Sequence, residues 1–217
     1  MVDESNLYEN FYNPSEEFKR EPRYFFYDMA IDLINKAKKS SKDWYTDENT
    51  IKGILLLLFT WNFAARKTKE LNFDNVKKVL LECENNLRHL EVYSIENINK
   101  NAENKIKNVF GKFKELMGQT GASKALSLLN PKLFVMWDTK IREYLRQEKI
   151  IKGIGNGEKP EYYVKFLLEI KNIIERYNIK DKLSKSDIVA KKIDEYNYVR
   201  IVQKNKENKE NKKCLNS

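Results

Sequence analysis

Apolar residues recur at helical spacing along nearly the whole chain, and no clean apolar/polar alternation bounded by hairpin turns interrupts them. A pattern with a period near 3.6 buries one stripe of a helix and cannot keep one face of a sheet buried, so the chain reads as all-α. Helices are expected over 24–39, 48–71, 75–90 and 95–117, with Pro22 ahead of the first and Asp47, Asp74 and Ser94 as N-caps of the others. A short helix over Ser123–Leu129, a connector from Pro131 to Trp137 and a helix from Thr139 to about Lys149 follow, then helices over Glu161–Tyr177 and Asp187–Val202.

With 217 residues the chain can bury a real core. The expected architecture is a compact multi-helix body over 1–202, either undivided or as two helical lobes flanking a cleft. The polar, repetitive 203–217 segment reads as a disordered basic tail.

Several function classes drop out on composition. The most apolar run, Ile54 to Ala65, is broken by Thr60 and Asn62. It is far shorter than the roughly 20 apolar residues of a membrane-crossing helix, so no membrane partner is expected. The acidic, aromatic start lacks the basic and apolar regions of a signal peptide, and a cytoplasmic location is expected. Cys83, Cys214 and the single His89 supply too few soft ligands for a zinc or iron–sulfur centre, so neither metal nor disulfide is expected. The formal net charge is +9, of which the tail contributes +3, and this balance favours a polyanionic partner.

Turn chemistry is concentrated in the middle of the chain. Gly118, Gly121, Gly153, Gly155 and Gly157 lie there, and Asn130-Pro131 is a helix stop. Because Gly153–Gly157 follows a helical pattern rather than a strand, it reads as a connector and not as a dinucleotide loop. Gly118 and Gly121 are expected to bracket a tight turn. The helix after them would begin with free N–H groups and its positive dipole end pointing outward, an arrangement that can hold a phosphate. Lys124 falls in the first turns of that helix, and Asp138 follows beyond the proline-terminated connector, so the two side chains can share a cleft.

This stretch, GQTGASKALSLLNPKLFVMWDTKIREYL, resembles the core of the helix-hairpin-helix DNA glycosylases, the endonuclease III and 8-oxoguanine glycosylase group. The similarity covers about residues 116–145 within a hairpin core at about 95–150. It rests on the glycine-containing Gly118–Gly121 segment, Lys124, the aliphatic run Ala125–Leu129 and the Trp137-Asp138-Thr139-Lys140-Ile141 segment. The lysine-to-aspartate interval is several residues shorter than in that group. The hairpin reads Leu-Met-Gly-Gln-Thr-Gly, and the cluster cysteines of endonuclease III relatives are missing.

The resemblance implies a base-excision repair protein that binds DNA, double-stranded and with a flipped base if catalytic, and uses no organic cofactor and no obligate protein partner. Lys124 would attack the sugar C1′ and Asp138 would assist departure of the base, with or without subsequent strand cleavage. Gly118, Gln119, Thr120, Gly121 and Ser123, with Lys140 and Arg142, would contact the DNA backbone, and Trp137, Trp61 and Asn62 would be candidates to line the base pocket.

Each of these residues also has a structural reading. Lys124 can be a solvated lysine on a helix surface, Asp138 an N-cap, and Trp137 with Phe134 and Met136 core anchors. On that reading the chain is a non-catalytic helical module that binds nucleic acid or protein.

Overall fold

The computed structural model describes residues 7–62, 69–151 and 159–203, and among these no strand occurs. The helices are α1 (Ser15–Lys19), α2 (Tyr24–Ser40), α3 (Glu48–Trp61), α4 (Phe73–Leu90), α5 (Lys100–Leu129), α6 (Thr139–Gln147), α7 (Pro160–Arg176) and α8 (Val189–Asn197). A π-helical turn, Tyr198–Gln203, follows α8. Buried apolar residues from Leu7 to Val202 form one continuous core, and the fold is compact and all-α.

Helix α5 organises that core. In its first half the buried positions Ala102, Ile106, Val109, Phe110, Phe113 and Met117 form one stripe, the mark of a helix with one face on a core. From Gly121 to Leu129 every residue is buried, because helices α2, α3, α4 and α7 all pack against α5. Lys124 sits inside this fully enclosed half. α2 lies along α3, and α8 packs on α1.

Local chemistry sets the helix ends, and several differ from the sequence expectation. Asp47 caps α3 as expected, accepting from Asn49 N–H at 2.8 Å. α3 stops at Trp61, however, and does not run to Leu71. Thr60 turns its hydroxyl back onto the Leu56 carbonyl at 2.6 Å, and Asn62 leaves the helix in an extended conformation. The cap of α4 is Asn72, which accepts from Asn75 N–H, and Asp74 falls in the first turn. Ser94 caps only the single 3-10 turn Ile95–Asn97, and Asn99 starts the long α5.

The expected loop between Gly118 and Gly121 is a one-residue break. Gly118 alone leaves helical geometry, at φ 69° and ψ 175°, and the helix resumes at once. That region of backbone space is essentially closed to residues with a Cβ, so the break falls where a glycine permits it. Gly121 is helical and buried. A Cβ there would lie 3.0 Å from the Met117 Cβ and 3.3 Å from Asn62 Nδ2, so this glycine serves close packing and not a turn. The Gly153–Gly157 run and the 203–217 tail apart from Gln203 lie outside the described residues.

Candidate functional site

Two chain segments deliver the site's charges. The buried end of α5 carries Lys124, and the connector after Asn130-Pro131 runs without regular structure from Phe134 to Asp138 before α6 begins. Trp137 N–H donates to Ser123 Oγ at 2.9 Å and Met136 N–H to Asp194 Oδ1 at 2.5 Å, and the Val135 carbonyl accepts from the Tyr163 hydroxyl at 2.8 Å. The first ties the connector to the residue next to Lys124, and the second ties it to α8. Asp138 follows immediately.

The chain reversal brings the predicted pair together. Lys124 Nζ and Asp138 Oδ2 are 3.7 Å apart, an ion pair longer than a hydrogen bond. The other carboxylate oxygen accepts from Lys140 N–H at 2.9 Å, so Asp138 caps α6 and faces the amine at the same time. The capping and cleft-facing readings of this residue therefore describe two oxygens of one group. The Lys124 side chain is 6 % exposed and that of Asp138 29 %, which puts the amine beneath a partly open carboxylate.

The amine's close hydrogen bond goes elsewhere, to the Trp61 carbonyl at 2.6 Å, the last residue of α3. Carbonyls at a helix C-terminus lack intrahelical donors and carry the negative end of the dipole, so a cation is favoured there. Burial nonetheless pulls the Lys124 pKa below its ordinary value, because desolvation outweighs the attraction of Asp138. The Arg23 guanidinium lowers it further, and Asp194 opposes the shift. Arg23 lies over the Trp61 ring at 4.8 Å and pairs with Glu21, while the Trp61 indole donates to the Arg23 carbonyl at 3.0 Å. One tryptophan thus links the amine to the start of α2.

The remaining sequence candidates separate into open and sealed. Gly118 and Lys140 are exposed, and Gln119 and Thr120 are half-buried near the break. Ser123 is buried with its hydroxyl engaged by Thr120 and Trp137, and Gly121 is buried, so neither is placed to grip a phosphate. Arg142 is half-buried, lying 5.1 Å from the centre of the Trp137 ring and reaching Thr139 Oγ1 at 3.2 Å.

Trp137 is fully buried. Its ring stacks on Phe166 and contacts Tyr163 and Phe110. Trp61 is 6 % exposed, among Phe18, Tyr27 and Tyr198. As placed, both indoles are buried among other aromatic rings. Asn62, half-buried beside Gly121, keeps a polar edge at the site.

Sequence reasoning missed Arg23 and Asp194. Asp194 had a signal: Ala190, Asp194 and Asn197 share helical spacing on the buried stripe of α8, and a carboxylate there needs partners. Arg23 had none, because its reach to Trp61 depends on how α2 meets α3. Among the described residues no group of three or more His, Cys, Asp and Glu side chains is placed to hold a metal ion. Among them also, no helix is long and apolar enough to cross a membrane. Comparisons with models of known protein families, with curated proteins and with solved structures find no match to this chain.

Proposed function

We propose that the chain is a DNA base-excision protein in which Lys124 forms a Schiff base with the sugar of a damaged nucleotide. The observation that carries this reading is the desolvated Lys124 amine facing the Asp138 carboxylate at 3.7 Å, beside a glycine break in a helix. A lysine acts as a nucleophile only as the neutral amine, and burial favours that form.

The chemistry assigned to each group follows. The neutral amine attacks C1′, the glycosidic C–N bond breaks, and the base departs with the bonding electrons and takes up a proton. As the C1′–O4′ bond breaks and the ring opens to an imine, the amine gives up its two protons, one passing by way of Asp138 to the departed base and the other to O4′. Loss of a C2′ proton expels the 3′ oxygen and cleaves the strand, and water hydrolyses the imine to regenerate the lysine. To react, the amine gives up its bond to the Trp61 carbonyl, so substrate entry and release of α3's last turn are coupled. With Trp61 and Trp137 sealed, Asn62 is the pocket candidate left from the sequence set. Exposed Lys140 and the N–H groups near Gly118 are the groups offered to phosphate.

A second reading has its own observation. The 2.6 Å bond to Trp61 makes Lys124 a structural cap of α3. The chain would then be a non-catalytic basic module for nucleic acid or protein. Duplexes each carrying one modified base separate the two: release of free base from one lesion class supports the first, and salt-sensitive binding with no base release and no adduct supports the second.

A further inference from the structure

Asp194 is a carboxylate buried in α8, on an element that carries neither the lysine nor the aspartate that the sequence singles out. Its Oδ1 holds Met136 N–H, two residues before Asp138, while Ser123 holds Trp137 N–H from the opposite element. Two successive residues of the connector are thereby pinned, one to α8 and the other to the residue next to Lys124. Asp138 is the first residue beyond the pins. The Val135 carbonyl, held by the Tyr163 hydroxyl at 2.8 Å, and the buried Trp137 ring anchor the same stretch, and the Met136 amide bond is the one that ties it to α8.

We infer that Asp194 is the positioning residue of the Lys124–Asp138 site: through the Met136 amide it sets the approach of Asp138, and it stands as a second acid within electrostatic reach of the amine. The groups around it come from several elements. Glu195 and Lys191 lie on its own helix, Lys124 on α5, Tyr27 on α2, Tyr163 on α7 and Tyr8 on the N-terminal segment. The amine in turn faces Asp138, Arg23 and Asp194. Burial raises the Asp194 pKa well above the usual carboxylate value, and the Met136 amide and Lys124 oppose that rise. The charge on Asp194 favours the charged form of the amine, and the amine's charge favours the ionised form of Asp194.

Two substitutions separate charge from geometry. Asp194→Asn keeps an acceptor for Met136 N–H and removes the charge, whereas Asp194→Ala removes both and strands a buried amide. The first readout does not depend on catalysis: NMR titration of the full chain labelled at lysine Cε, following Lys124. The wild type is expected to show the amine's own titration and a smaller inflection where Asp194 ionises. Asp194→Asn is expected to lose that inflection and to move the amine's titration somewhat down, because a charge that favours the ammonium is gone. Asp194→Ala is expected to shift the amine's titration further down, because Asp138 no longer faces it. Three overlapping curves overturn the inference.

The second readout rests on the proposed reaction. Borohydride trapping on abasic DNA should stay within about threefold of wild type in Asp194→Asn and fall by roughly tenfold or more in Asp194→Ala, since small misplacements of a catalytic group cost that much. Titrations as expected with no trapping in the wild type would reject the repair reaction and leave the positioning role standing. Equal trapping by all three proteins rejects the positioning role alone. Should Asp194→Ala fail to fold, Asp194→Ser, whose hydroxyl falls one atom short of the Met136 amide, takes its place in both readouts.

Discussion

The Lys124 amine donates to the carbonyl of Trp61 at 2.6 Å and lies 3.7 Å from Asp138, so one buried cation is shared between the end of α3 and the start of α6. A structural cap and a nucleophile differ in what burial does to each. A cap is strengthened by staying charged, while a nucleophile needs the neutral form that desolvation favours.

The cost of burying that charge is measurable as stability. The folded-state pKa of Lys124 lies below its ordinary 10.5, so between the two values the unfolded chain binds the extra proton. Stability therefore rises as pH climbs through that window. Lys124→Met removes the buried charge and leaves Asp138 its cap bond and its solvent exposure. At pH 7 it is expected to unfold at a higher urea concentration, by about 1 kcal/mol. The gap from wild type should close as pH approaches 10. A gap that does not change with pH would mean the amine is not desolvated.

Asp138 can be split the same way. Asp138→Asn retains an N-cap acceptor and loses the charge facing Lys124, so its stability should change by less than about 1 kcal/mol. Asp138→Ala loses the cap as well and should cost about 1–2 kcal/mol in a denaturant melt. If the two variants melt together, the bond to Lys140 N–H does not hold α6.

At Gly118 the backbone and not the space is limiting. Among the described residues nothing beyond the adjoining chain lies within 4 Å of the place a Cβ would take, yet φ is +69°. Gly118→Ala should destabilise by about 1–3 kcal/mol through strain alone. D-alanine, which accommodates positive φ, should cost far less when introduced by semisynthesis. Equal melting of the L and D variants would show that the helix does not break there.

Much of this arrangement is legible in the sequence, and the parts that are not share a cause. Helical periodicity locates α2, α7 and the halves of α5, since a stripe of apolar residues needs no knowledge of its partner. The Lys124–Asp138 pairing follows from a lysine, a proline stop and an aspartate in order. The end of α3 is misplaced by periodicity because the apolar pattern continues past Trp61, while the chain turns where Thr60 and Lys124 claim its carbonyls. The two glycines look equivalent in the sequence, although one supplies a positive φ and the other a missing Cβ. Trp137 and Trp61 illustrate the remaining gap: composition marks aromatics as base-stacking candidates, and only packing shows their faces already covered.

Trp137 gives a sharp check on that packing. Its indole N–H is buried with no acceptor among the described residues. Trp137→Phe removes an unpaired donor along with some contact area, and it should cost less than about 1.5 kcal/mol, against about 3–5 kcal/mol for Trp137→Ala. A phenylalanine variant as unstable as the alanine one would reveal a partner for that N–H.

The central claim is that the Lys124 amine becomes covalently bonded to a sugar carbon. Borohydride reduction of the protein mixed with duplexes carrying an abasic site or an oxidised base reads this directly as a protein–DNA adduct on a denaturing gel. The account predicts an adduct with the wild type and none with Lys124→Gln, while both proteins bind the same DNA. Equal adduct from both proteins, or none from the wild type on any duplex, would contradict it.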